Sequence, residues 1–209
     1  MKCVHNLDVK KGIFIMITDA KENASLFETL VLDNIHRDGI SSLMNYIKND
    51  TDFFTSPAST KYHGSFCGGL LAHSLEVYYQ MMKLSHLYNY CKTPQEIESA
   101  TLVSLFHDVC KINSYEVSVR NVKNPSGSWE SVPCYIFSNK KDFGAHGAES
   151  IFILTQHLLL TREESIAIYH HMGAWDASKY DNPAQAYESN KLAWLLHIAD
   201  EAATYIACI

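Results

Sequence analysis

The chain has 209 residues, 47% hydrophobic and 19% charged, with a formal net charge of −6. That length suits one domain, or two small ones, with enough apolar side chain for a full core. A pI of about 6.0 excludes a global attraction to nucleic acid, and no apolar run reaches the roughly 18 residues of a membrane span.

The first apolar stretch, Ile13-Phe14-Ile15-Met16-Ile17, is short and lacks a cleavage pattern, so a cytoplasmic address is expected. A short strand is predicted over 13–18. Two short helices follow over 24–36 and 40–49, divided at Asp38-Gly39. Residues 50–66 read as loop, with Ser56-Pro57 as a breaker. A long helix is predicted over 69–91, with Leu70, Leu71, Leu75, Val77 and Tyr78 on its inward face. Gly68-Gly69 either lets backbone approach a ligand or forms the turn before that helix.

The next helix has a clear start: Thr93 caps, Pro94 takes the first helical position and Glu96 completes a capping box. It carries Ile97, Leu102 and Leu105 into His107–Asp108. Tyr115-Glu116-Val117-Ser118-Val119 alternates as a half-buried strand does, Asn124-Pro125-Ser126-Gly127 turns, and 132–137 returns. A helix is predicted over 145–160. Thr161 and Glu164 form a second capping box, opening a helix that reaches His170-His171. A last helix is predicted over 187–207. The fold class is therefore mainly α, with one inserted β-hairpin at about 114–138. Residues 1–56 read as an N-terminal extension and 57–209 as the main domain.

Histidines and carboxylates recur on separate apolar, helix-like segments: His73, His107–Asp108, His146, His170-His171 and Asp200. A helical bundle builds an interior divalent-metal site in this way. Any one of these histidines alone is ordinary core packing. The set matches what a borderline divalent ion takes, and buried Asp108 and Asp200 are costly without a cation. Helical geometry turns His86 roughly 220° away from His73, and puts His157 about 16 Å along the axis from His146. His197 is expected to orient a ligand, and His5 and His36 to lie at the surface. His63 is a substrate-side candidate. Lys111 reads either as a cation favoured at a helix end or as an ammonium for a phosphoryl oxygen.

Lys111, Arg120, Lys123, Lys140 and Lys141 make the segment from 111 to 141 locally basic, either a solvated hairpin or an anion-binding lip. The cysteines Cys3, Cys67, Cys91, Cys110, Cys134 and Cys208 are spread singly, with no C-x-x-C pair. Cys67 and Cys110 stand near candidate ligands, and packing is the expected account of both.

These residues, in this order, resemble the HD-domain metal-dependent phosphohydrolase superfamily, in its small bacterial and phage-type form. Leu105-Phe106-His107-Asp108-Val109-Cys110-Lys111 is similar to that family's Leu-His-Asp-Ile-Gly-Lys, with Cys110 in place of the glycine. The resemblance covers about 57–209. It implies an HD helical bundle in which His73, His107, Asp108 and Asp200 hold a first metal. His146 and His171 match the further histidines of binuclear members, where the aspartate of the pair bridges both ions. His170 is a further candidate ligand.

The implied activity is hydrolysis of a phosphomonoester or phosphodiester by a metal-activated water. Asp108 and Lys111 are the expected catalytic residues, and Lys111, His63, Arg120 and Lys123 the substrate contacts. The expected cofactor is one or two divalent ions of Fe, Mn, Ni, Co or Zn, with Mg also open. The expected partner is a phosphorylated small molecule, foremost a nucleotide. Single-stranded nucleic acid and a homodimer stay open, and no membrane is expected. Two other readings stand beside this one: a di-iron oxygenase, and a low-turnover nucleotide sensor.

Overall fold

The computed structural model describes residues 7–8, 13–14, 20–138 and 145–207. Its elements run β1 (Leu7–Asp8), β2 (Ile13–Phe14), α1 (Ala20–Asn34), α2 (Ile40–Asn49), α3 (Gly69–Leu87) and α4 (Pro94–Phe106). A 3-10 turn (Val109–Lys111) leads to β3 (Tyr115–Lys123) and β4 (Trp129–Phe137). Next come α5 (His146–Thr155), α6 (Arg162–Tyr169), a second 3-10 turn (Gly173–Trp175), α7 (Pro183–Ser189) and α8 (Lys191–Tyr205). This is the mainly α fold with one inserted hairpin that the sequence predicts.

Helix α3 is the axis of the molecule, packed by α1, α4 and α8. The sequence predicts one inward face, but every residue from Gly69 to Tyr79 is buried. A helix surrounded by others has no solvent side. The last turns of α4 are equally enclosed: residues 100–112 are buried without a break. His107 and Asp108 therefore arrive in the interior at the end of a helix.

Helices α1 and α2 contribute Phe27, Val31, Leu43 and Ile47 to the same core. Phe27 packs tilted against Phe53 at 5.1 Å and edge-on to Phe106, next to His107, at 5.4 Å. Arg37, between α1 and α2, makes a two-pronged pair with Glu164, each arm 2.7 Å long. Glu164 also accepts from Ser99 Oγ at 2.6 Å and closes the predicted capping box with Thr161. One buried carboxylate thus ties the α1–α2 connection, α4 and α6 together.

Several boundaries differ from expectation. Only 13–14 of the predicted 13–18 strand is described as strand, paired antiparallel with β1, while 15–19 lie outside the described residues. Helix α1 begins four residues early. Helix α3 stops at Leu87, because Asn89 takes a left-handed φ of 54°. Helix α5 ends at Thr155, leaving His157 beyond it, stacked on Tyr46 and bonded to Ser42. The predicted 187–207 helix is α7 plus α8, divided at Asn190, whose side chain caps α8.

The hairpin strands are longer than predicted and pair from Tyr115↔Phe137 to Lys123↔Trp129. Val117 and Val119, expected on a half-buried face, are 74% and 69% exposed. A two-stranded arm has no second layer to cover that face. Its base is anchored where Tyr115 Oη donates to the Ala58 carbonyl at 3.2 Å. Among the described helices, none is long and apolar enough to cross a membrane.

Candidate metal centre

Four segments converge on one buried point. Helix α3 supplies His73, the end of α4 supplies His107 and Asp108, the turn after α6 supplies His171, and α8 supplies Asp200. His73 Nε2 is 3.0 Å from Asp200 Oδ1 and 3.7 Å from Asp108 Oδ2. His107 Nε2 is 3.4 Å from Asp108 Oδ2, and His171 Nε2 is 3.5 Å from Asp108 Oδ1. The ligand atoms of His73, His107 and Asp108 lie within 4.8 Å of one another, as do those of His107, His171 and Asp200.

Backbone carbonyls set the tautomers. His107 Nδ1 lies 3.0 Å from the Ser104 carbonyl, and His171 Nδ1 lies 2.7 Å from that of Ile168. A carbonyl only accepts, so Nδ1 donates in each ring, and Nε2 is the nitrogen whose lone pair the neutral imidazole would offer an ion. Both Nε2 atoms, and Asp108 Oδ1, are buried without a hydrogen bond. Lone pairs facing each other in a dry interior repel unless a cation lies between them. Imidazole with its far nitrogen tied to a carbonyl is the usual arrangement of a metal-binding histidine. These residues fit a divalent metal.

Asp108 and Asp200 are both ionised. Burial alone would raise Asp108, but the Lys111 ammonium outweighs it and holds the carboxyl well below the usual range. Burial is likewise overcome at Asp200 by the hydrogen bond from His73, and its pKa is lowered. Lys111 is buried, which works against its charge, yet Asp108 prevails and its pKa is raised. Lys111 Nζ sits 2.6 Å from Asp108 Oδ2. The 3-10 turn makes this contact, since residues i and i+3 eclipse there.

The other predicted residues divide. His146, at the start of α5, joins a neighbouring group with Asp108 and Cys110, its Nδ1 3.7 Å from Cys110 Sγ. His170 belongs to none of these groups; its ring lies against Tyr169. His197 Nδ1 is 2.7 Å from the His171 carbonyl, so it holds the backbone of His171 rather than a ligand ring. The His63 ring lies tilted against that of His73, centroids 4.8 Å apart, with Nε2 buried. Burial, then His73 and Lys111, lower its pKa to about 4, leaving a neutral ring. His36 and His86 are exposed. His5, Cys3, Cys208, Lys140 and Lys141 lie outside the described residues.

Gly68-Gly69 forms the turn into α3. A side chain at Gly69 would collide with the Gly64 carbonyl, so that glycine lets the 58–66 loop fold down and place His63 over His73. Asp52 and Asn113 pin the same loop by reciprocal side-chain-to-backbone bonds of 2.6 and 3.1 Å. Sequence reading missed this clamp, because its halves stand 61 positions apart. Loop and hairpin flank an open cavity of about 490 Å³ lined by Lys61, Ser65, Phe66, Arg120 and Tyr135 among others. Lys61 was not foreseen there. Lys123, exposed and paired in register with Trp129, is not among the lining residues.

The family model of the HD domain matches residues 70–205, spanning every segment that meets at the centre. The chain belongs to the HD domain family. No curated protein and no solved structure matches it. HD domains are metal-dependent phosphohydrolases as a family, and the His and Asp groups of this HD domain are placed for metal binding.

Proposed function

We propose that this HD domain hydrolyses a phosphoester of a nucleotide or short oligonucleotide. The observation that carries the reading is the meeting of His107 Nε2, His171 Nε2 and Asp108 Oδ1, each buried without a hydrogen bond, in a dry interior. With His73 and Asp200 they form a mixed nitrogen and oxygen donor set, which suits Mn, Fe, Co, Ni or Zn better than Mg. A bound divalent ion supplies a water acidified toward about pKa 7 and draws charge from a phosphoryl oxygen.

The chain's own residues do the rest. Asp108, ionised, accepts a hydrogen bond from the attacking water and aligns it. Lys111 spends one N–H on Asp108 and has two more for a phosphoryl oxygen, where negative charge grows in the transition state. His63 borders the centre on the loop side and positions the substrate. The cavity between the 60–67 loop and the hairpin combines the cations of Lys61 and Arg120 with the rings of Phe66 and Tyr135. Cations beside aromatic rings suit a phosphate joined to a base, and the volume suits a single nucleotide.

Elemental analysis of the purified protein, paired with a nucleotide and phosphodiester screen in Mn²⁺, Ni²⁺ and Co²⁺, tests this reading. Metal and phosphate release are expected together. Asp108→Ala should lose both while its circular dichroism stays near wild type. Full turnover in that variant overturns the proposal.

A further inference from the structure

Position 110 separates this chain from the motif it resembles. Glycine there has no side chain, whereas Cys110 brings a buried sulfur to within 3.7 Å of His146 Nδ1. Ligand atoms of Asp108, Cys110 and His146 all lie within 4.8 Å of one another. We propose that Cys110 is a thiolate ligand, with His146 and Asp108, for a second divalent ion beside the first. This rests on the metal-centre reading above and assigns it a ligand that the family motif does not contain.

The three donors are held by separate devices. The Cys110 backbone N–H donates to Ser150 Oγ at 3.2 Å, and Ser150 lies on α5, the helix that begins with His146. The His146 backbone N–H is in turn held by Asp176 at 2.5 Å. Gly147 lets α5 approach α6, because a side chain there would strike the backbone of Ile168 and Tyr169. Asp108 shares its charge between two tasks: Oδ2 is taken by Lys111, and Oδ1 is buried with no hydrogen bond.

A packed thiol would explain the burial of Cys110. It would not explain why a partly buried imidazole and a buried carboxylate converge on it. A sulfur, nitrogen and oxygen donor set selects zinc or cobalt and disfavours magnesium, which takes oxygen. Binding would release the thiol proton to solvent, and the thiolate would then offset one positive charge of the ion.

Cobalt titration of the whole protein, read by absorption and by metal content, decides the matter. Wild type should bind about two equivalents and develop a near-ultraviolet sulfur-to-cobalt charge-transfer band. Cys110→Ser, and Cys110→Gly, which restores the family residue, should lose that band and retain about one equivalent with unchanged helicity. The use of both variants guards against a folding defect in either. Cobalt bound without the band, or a band that survives both substitutions, overturns the thiolate assignment and leaves the metal centre standing. Failure of wild type to bind cobalt at all overturns both.

Discussion

Lys111 Nζ stands 2.6 Å from Asp108 Oδ2, and the two residues are 7% and 2% exposed. The sequence offers Lys111 as a helix-end cation or a substrate contact. It is first of all the counter-charge of a buried metal-site carboxylate. Lys111 and a divalent ion therefore oppose the same negative charge.

That sharing makes Lys111→Ala informative. Breaking a buried pair by removing one partner costs about 3–5 kcal/mol. The metal-free variant should melt well below wild type. Added Mn²⁺ should raise its melting temperature by more than it raises wild type's, because the ion replaces the lost charge. Turnover should slow while metal content stays. Loss of metal instead would make Lys111 a structural residue.

Glu164 should dominate acid sensitivity away from the metal centre. Burial would raise its carboxyl, but Arg37 and Ser99 overcome this and lower it below the ordinary glutamate value. A lowered pKa stabilises the fold fully above the unfolded value of about 4.3, and that gain fades as pH falls through the folded value. Glu164→Gln should be less stable than wild type at pH 7 by about 2–4 kcal/mol. Its stability should also depend less on pH below 5. Urea melts across pH measure both, and parallel curves for the two proteins would refute the assignment.

Gly69→Ala should disturb the loop rather than α3 itself. The added methyl meets the Gly64 carbonyl, so the 58–66 segment must lift and carry His63 with it. Overpacking of this kind costs about 1–3 kcal/mol. Metal content should persist while KM rises. An unchanged KM would show that His63 does not border the substrate.

Arg120 and Lys61 are exposed side chains that line the cavity. Replacing both by Gln should raise KM for an anionic nucleotide and weaken its dependence on salt, with kcat and metal content near wild type. Equal loss for an uncharged analogue would point to shape rather than charge.

Legibility followed the range of each interaction. The two capping boxes lie within four residues of sequence, and both formed as read, Thr93 with Glu96 and Thr161 with Glu164. The pairing of Asp52 with Asn113 and of Arg37 with Glu164 spans 61 and 127 positions, and no local pattern announces it. The inward residues read in α3, Leu70, Leu71, Leu75, Val77 and Tyr78, are all buried, but periodicity reports one apolar face, not how many neighbours a helix has, so the burial of the rest is not legible.

By itself the sequence determined the helical class, the inserted hairpin and the set of imidazole and carboxylate side chains, because periodicity, caps and residue type are local. Only the tertiary structure decided how they are used. Carbonyls of Ser104 and Ile168 turned two rings so that their lone pairs face inward. Lys111 was drawn onto Asp108, and Cys110 was set beside His146 where packing had been expected to account for it. Those outcomes depend on which donors and charges meet once water is excluded, and sequence spacing does not encode that.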